Sequence, residues 1–372
     1  MQDIKIIVVA GARPNFMKIE PFLREVADYN ARKAKDGPSV RSLLVHTGQH
    51  YDNTMSDIFF QELGIRPPDI NLGVGSGSHA VQTAHIMTGF ERVCVREKPD
   101  WVVVVGDVNS TMACTLVCAK MGIRVAHIEA GLRSFDRTMP EEINRVVTDA
   151  LAALLLTPSE DANENLRKEG ISGDKIKFVG NIMIDSLLKN LPKARLSDIL
   201  SQLHLEAKRF VYVTLHRPSN VDARENLSMI MAGMRKLSRR LPVVFPVHPR
   251  TLKMLEEFGL DSRPDNNLLL LEPLGYHASL CLTENAHLVL TDSGGLQEEA
   301  TFFRTPCLTL RSNTERPITV TLGSNKLTSL ERLSEDINNA LNGPVRKGRV
   351  PPLWDGRTAE RTLISILEAS SL

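Results

Sequence analysis

The sequence predicts an α/β protein built from two doubly wound, Rossmann-like halves that face a cleft, the GT-B type of architecture. Three observations lead there. Continuous apolar runs such as 4–10 (IKIIVVA) and 101–105 (WVVVV) suit strands buried on both faces, which is the condition of a parallel sheet. Segments with helical periodicity separate these runs. The alternation occurs twice along 372 residues, a length that fits two domains.

In the first half the strands fall at 4–10, 42–46, 101–105, 124–128, 153–157 and 176–179. A second series follows at 210–215, 243–247, 268–271, 287–291 and 307–310, again with helices between. The polar stretch 189–208 (KNLPKARLSDILSQLHLEAK) reads as the linker region, so the domains are expected at 1–188 and 189–355. In such sheets ligands bind beyond the carboxyl ends of the strands, and between two halves the cleft is the expected site.

Composition excludes several functions. A formal net charge of +1 provides no field for nucleic acid, and 5% aromatic residues leave no base-stacking surface. Five scattered cysteines with no CxxC pair argue against zinc or a disulfide framework, and Cys114 and Cys118, one helical turn apart, read as small core residues. No stretch approaches the ~18 apolar residues of a membrane span, and the first apolar run is too short for a signal peptide. The expectation is a cytoplasmic protein without membrane or nucleic-acid partners.

The strand ends of the first half are polar and charged. Strand 4–10 leads into Gly11-Ala12-Arg13-Pro14-Asn15-Phe16-Met17-Lys18, where Pro14 suits a first helical turn and Arg13 and Lys18 flank it. Strand 101–105 leads into Gly106-Asp107, and strand 124–128 into Glu129-Ala130-Gly131-Leu132-Arg133. Met139-Pro140-Glu141-Glu142 opens a further helix. Asp107 also suits a helix cap, and Glu141 and Glu142 also suit a helix dipole. Glu129 directly follows a buried strand, where an acid needs a partner. Asp107, Glu129 and Glu141 on adjacent ends of one sheet are expected to converge, an arrangement suited to acid/base chemistry.

The second half offers grips for an anion. Its strands end in His216-Arg217-Pro218 and in His248-Pro249-Arg250, and Ser293-Gly294-Gly295 opens a helix whose free N–H groups favour phosphate. Arg311 and Arg316 follow. Together these point to a diphosphate, with the ribose hydroxyls on Glu298 or Glu299 one turn into the helix. No Walker motif occurs and no GxGxxG follows the first strand, against a P-loop or nicotinamide site.

The motifs GARPNFMK, HTGQHYDNTMSDIFF, VVGDVNST, AHIEAGLRSFDRTMPEEINR, VGNIMID, TLHRPSNVD, PVHPRT, EPLGY, TDSGGLQEEA and TERP resemble, in this order, those of the non-hydrolysing UDP-N-acetylglucosamine 2-epimerases. The resemblance implies the GT-B fold, a homodimer, and a final helix near 356–370 (tail 356–372) that packs back on the first domain. It also implies a reaction without external cofactor or metal, in which UDP is eliminated to 2-acetamidoglucal and added back with the opposite C2 configuration. Asp107, Glu129 and Glu141 would be the acid/base groups, with His216 beside the diphosphate and sugar. Arg13, Lys18, Arg133, His248, Ser293, Gly294, Gly295, Glu299 and Arg316 would bind the UDP-sugar. The bacterial activator site for a second UDP-N-acetylglucosamine would fall at Gln49 and His50, where this chain continues with Tyr51 and Asp52. The product would serve polysaccharide or other glycan synthesis.

Three alternatives are weighed beside this one. A sibling 2-epimerase acting on a UDP-2,3-diacetamido-glucuronate differs in having Thr-Glu-Trp at the position where this chain has Thr314-Glu315-Arg316-Pro317. A hydrolysing epimerase differs only in whether water attacks before UDP returns. A GT-B glycosyltransferase or a nucleotide-sugar sensor needs no cluster of three carboxylates.

Overall fold

A computed structural model describes residues 3–33, 37–48, 64, 66–260, 267–343 and 348–371, the side chains of Arg13 and Pro14 excepted. The chain divides into two compact units, Met1–Ser186 with Pro352–Leu372, and Leu187–Pro351. In the first unit lie β1 (Ile4–Ala10), β2 (Val40–His46), β3 (Ile70–Asn71), β4 (Trp101–Val105), β5 (Arg124–Ile128), β6 (Leu154–Thr157) and β7 (Ile176–Phe178). They pair in parallel in the order β3-β2-β1-β4-β5-β6-β7. The second unit holds β8 (Val211–Thr214), β9 (Val243–Pro246), β10 (Leu268–Leu271), β11 (Leu288–Thr291), β12 (Cys307–Leu310) and β13 (Asn325–Thr328), parallel in the order β10-β9-β8-β11-β12-β13. Both sheets are doubly wound. The winding reverses between β1 and β4 in one unit and between β8 and β11 in the other, and the candidate residues cluster beyond the carboxyl ends of those strands.

The apolar runs are buried on both faces, as a covered parallel sheet requires. All of Trp101–Val105 is buried. On one face Ile7, Val9, Val102 and Val104 pack with Ile86, Phe90, Ala113, Cys114 and Cys118 from the helices His79–Glu97 and Asn109–Met121. All five cysteines are buried and unbridged. In the second unit Val211, Val213, Val243, Phe245 and Leu290 centre one cluster, and Tyr212, Val244 and Val289 centre the cluster on the opposite face.

The C-terminal helix Thr358–Ser370 belongs to the first unit. Its first turn is held by Asp185, which accepts from Thr358 N–H (3.2 Å) and Ala359 N–H (2.8 Å). Its end is held where Trp101 Nε1 donates to Ser370 Oγ (2.8 Å) and Arg124 donates to the Ala369 carbonyl (2.9 Å).

Three features depart from the sequence expectation. Strands β3 and β13 were not expected; each ends its sheet, and Ile70-Asn71 and Asn325-Lys326-Leu327-Thr328 lack the apolar run that marks an interior strand. The stretch 189–208 is partly helical, because the helix Ile182–Arg195 runs into it and Ile199–Gln202 adds a turn. Among the described residues no helix is long and apolar enough to cross a membrane.

Candidate active site

In the first unit the turns after β4 and β5 are both built on left-handed backbone. Gly106 has φ +67°, and a Cβ there would lie 3.2 Å from Lys18 Nζ and 3.6 Å from a Glu129 carboxylate oxygen. Glu129 itself has φ +70°, a conformation that costs a non-glycine residue about 1–3 kcal/mol and persists where the surroundings impose it. The reward is a buried ion pair: Lys18 Nζ lies 2.5 Å from Glu129 Oε2, with both side chains almost fully buried. Asn15 fixes the turn that carries Lys18, accepting from Gly11 and Ala12 N–H and donating to the Val105 carbonyl. Glu129 Oε1 is buried and has no hydrogen-bond partner among the described residues. A buried carboxylate oxygen without a donor is costly, so it marks a place where a ligand group can donate.

Asp107 follows Gly106 and is half-buried. Arg145 grips it, with Nη2 2.5 Å and Nε 3.1 Å from Asp107 Oδ2. The same guanidinium turns Nη1 to Glu142 Oε2 at 2.6 Å. Glu142 also accepts from Ser134 N–H, Ser134 Oγ and Phe135 N–H. Burial alone would raise the Glu142 carboxyl, but the Ser134 and Phe135 amides and Arg145 hold it below the usual range. Glu141 precedes this pair in the first turn of the helix Pro140–Leu151; it is half-buried, and no side-chain hydrogen bond or ion pair holds it among the described residues. Of the adjacent acids, Glu142 thus holds the 134–135 turn and Arg145, and Glu141 takes no part in that clamp.

Arg133, expected to bind substrate, is buried against the protein's own acids. Its Nη1 lies 2.7 Å from Asp149, and Nε and Nη2 each lie 2.7 Å from Glu169. Behind it, buried His127 bridges Asp149 Oδ1 (2.6 Å) and the Gly106 carbonyl (2.9 Å).

In the second unit Asp292 organises the end of β11. It is fully buried and accepts from His216 N–H, Arg217 N–H (2.8 Å) and Asn220 Nδ2 (3.0 Å). Its Oδ1 lies 3.0 Å from His216 Nδ1. Burial would raise this carboxyl, but the His216 ring, the Arg217 amide and Asn220 hold it low. With Nδ1 directed at Asp292, His216 presents Nε2 outward. Its ring lies 5.4 Å from that of His248, which caps the helix Pro249–Glu257 by accepting the Arg250 N–H (3.1 Å).

Ser293 is the N-cap of the helix Gly294–Phe303, which places Gly294 and Gly295 in its first turn. A Cβ on Gly294 would come within 2.9 Å of Arg316 Nη1 and of Glu315 Oε1, so glycine leaves that ion pair room to lie against the helix start. Arg316 is buried, with Nε 2.8 Å from Glu298 and Nη1 on Glu315, which in turn pairs with Arg311 at 2.9 Å. The acids that crowd this helix start therefore have a use: Glu298 and Glu315 hold Arg316 there. Glu299 is different. Burial pushes its carboxyl up; the Tyr276 hydroxyl opposes the rise and the Glu298 charge adds to it, leaving the value at about 8.

A sequence model of the family described as UDP-N-acetylglucosamine 2-epimerase matches residues 32–368. The chain belongs to that family. A UDP-N-acetylglucosamine 2-epimerase of Methanococcus maripaludis is 42% identical over 366 residues, covering 96% of both chains. The UDP-2,3-diacetamido-2,3-dideoxy-D-glucuronate 2-epimerase of Pseudomonas aeruginosa is 39% identical over 333 residues, 88% of this chain and 89% of that one. The crystal structure of the Methanocaldococcus jannaschii UDP-GlcNAc 2-epimerase in complex with UDP-GlcNAc and UDP matches with a TM-score of 0.87 at 41% identity, covering 98% of this chain and 100% of that chain. The two Rossmann-like units are thus the fold of this epimerase family.

Of the expected residues, Lys18, Asp107, Glu129 and Glu141 belong to the first unit, where Lys18 meets Glu129, and His216, His248, Ser293, Gly294, Gly295, Glu299 and Arg316 belong to the second, where His216 lies beside His248 and Gly294 against Arg316. Gln49 and His50 lie outside the described residues, as does the side chain of Arg13. Sequence reasoning missed Asn15, His127, Arg145, Asp149 and Asp292. Asp292 precedes the Ser-Gly-Gly turn at the end of an apolar strand, and that position could have been singled out as Asp107 was.

Proposed function

We propose that this protein interconverts UDP-N-acetylglucosamine and UDP-N-acetylmannosamine by eliminating UDP and adding it back. A carboxylate removes the C2 proton, C1=C2 forms, and the C1–O bond to the diphosphate breaks. UDP oxygen then bonds again to C1 while a proton reaches C2 from the opposite face. C2–H is a weak acid, so departure of the diphosphate has to assist its loss, and the reaction needs acid/base groups together with a cradle for the leaving group.

The observation that carries this reading is Glu129: one oxygen rests on Lys18 and the other lacks a donor among the described residues. Glu129, Glu141 and Asp107 serve as the acid/base set, with Lys18 and Arg145 fixing Glu129 and Asp107. The Gly294-Gly295 amides and the neighbouring rings of His216 and His248 receive the diphosphate, and Glu299 receives the ribose hydroxyls. In deuterated water both epimers should acquire deuterium at C2. Sugar turnover without label at C2, read by NMR, would remove the elimination. Release of free N-acetylmannosamine would instead indicate hydrolysis. The resemblance to the Pseudomonas aeruginosa enzyme keeps a 2,3-diacetamido-glucuronate sugar as the second substrate reading, and a panel of UDP-sugars followed by NMR separates the two.

Glu299 adds a pH dependence. Its folded value of about 8 lies above the ordinary 4.5, so the ligand-free protein holds a proton that the unfolded chain has lost. That group's contribution to stability is complete below about 4.5 and is lost as pH rises through about 8. Accepting both ribose hydroxyls requires the ionised form, so UDP binding expels the proton. Between pH 7 and 8 UDP affinity should rise by up to about tenfold and then level off. Calorimetry in buffers of different protonation enthalpy should detect the released proton, and Glu299→Gln should abolish it. A wild-type affinity that stays flat from pH 7 to 8 would remove ionised Glu299 from the ribose.

A further inference from the structure

We infer that His127 is a positioning residue that holds the turns carrying Asp107 and Glu129 in register, an inference that rests on the reaction proposed above. Pairing of β4 with β5 ends at Val105 and Ile128. The next carbonyl, that of Gly106, points away from the sheet ladder on left-handed backbone, and being buried it requires a donor. His127 Nε2 supplies that donor at 2.9 Å, while the Gly106 N–H is held by the Ile128 carbonyl at 3.1 Å. Gly106 is therefore gripped on both sides by β5, and the residue that follows it is Asp107.

The other ring nitrogen faces Asp149 Oδ1 at 2.6 Å. A carbonyl only accepts, so the contact to Gly106 uses a proton on Nε2, and Nδ1 is left facing the carboxylate. The second Asp149 oxygen accepts the Gly131 N–H at 3.0 Å and lies 2.7 Å from Arg133 Nη1. Gly131 lies two residues beyond Glu129, and its φ of +80° and its approach to the Ala162 carbonyl, 2.4 Å from a would-be Cβ, demand glycine. One imidazole–carboxylate pair thus spans both turns, with Arg133 and Glu169 as the charged groups beside it. The structural alternative is a satisfied core histidine. Its strand neighbours Val125, Ala126 and Ile128 are apolar, and a buried ring with a carboxylate is a costly substitute for a β-branched residue, so the choice points to the two turns.

The test separates the two contacts of the ring. An asparagine amide at 127 reaches Asp149 but not the Gly106 carbonyl; a glutamine amide reaches the carbonyl. His127→Asn should lower kcat by at least ~10-fold with KM and UDP affinity within about twofold, the pattern of a lost transition-state interaction. His127→Gln should recover kcat to within about threefold of wild type. Wild-type kcat in the asparagine variant overturns the inference, as does equal loss in both variants in step with UDP affinity and Tm. If His127→Asn does not fold, the glutamine variant decides, because a folded His127→Gln with a ~10-fold loss in kcat overturns the inference as well. Amide exchange provides an arm without activity: the Gly106 and Gly131 amides should exchange faster in His127→Asn while those of Trp101–Val105 do not, and unchanged exchange overturns the inference. A wild-type chain that never labels C2 sinks the proposed reaction alone and leaves the clamp to be judged by exchange.

Discussion

Glu129→Gln should reduce turnover more than ~10²-fold, the loss expected when an acid/base group is removed, with UDP affinity nearly intact. The substitution keeps the shape of the side chain and the backbone demand for φ +70°. In the proposed reaction it removes the ability to take or give a proton at C2, and it leaves Lys18, buried beside it at 2.5 Å, with a neutral partner. The loss should therefore appear in kcat and in C2 deuterium exchange together, because one proton transfer underlies both. Asp107→Asn should match it in turnover and add a fall in Tm, since Arg145 is gripped by Asp107 through two nitrogens. Steady-state kinetics, NMR exchange and calorimetry with UDP read the three quantities. Wild-type turnover in Glu129→Gln would return the residue to a structural role as the partner of Lys18.

The strands that could be read from sequence are those whose neighbours lie on both sides. Val102–Val105 declare themselves because every residue is buried, whereas Asn325–Thr328 is polar at three of its four positions and ends its sheet. The candidate residues were legible for a related reason: a polar group directly after a buried strand has few bland uses, and Asp107, Glu129, His216 and Ser293 all stand there. Pairing across the chain was not legible. Arg133 follows Glu129 closely and looked like a ligand contact, but its partners are Asp149 and Glu169, 16 and 36 residues further on. The same holds for Arg145, 38 residues from Asp107. The sequence left Glu298 and Glu299 open as the ribose group. Neighbours on one helix, they point in different directions, Glu298 to Arg316 and Glu299 to Tyr276, so their chemistry diverges.

Arg316→Ala should destabilise the second unit by about 3–5 kcal/mol, the cost of breaking a buried ion pair from one side. The guanidinium lies between Glu298 and Glu315, and all three side chains are nearly fully buried. Its removal leaves Glu315 with Arg311 but takes from Glu298 the guanidinium that lies 2.8 Å from it. The uncompensated charge also sits where the diphosphate is proposed to bind, against the Gly294 amide, so UDP affinity should fall by about 1.5–3 kcal/mol. The two losses have different origins and can be separated. Adding Glu298→Gln removes the unpaired charge, so the double variant should regain much of the stability while UDP binding recovers only the part due to repulsion. Denaturant unfolding followed on the second unit reads the first quantity and calorimetry the second. If Arg316→Ala keeps both stability and affinity, the buried arginine neither holds Glu298 and Glu315 nor serves the anion, and the account of why those two acids stand beside the proposed diphosphate site is wrong.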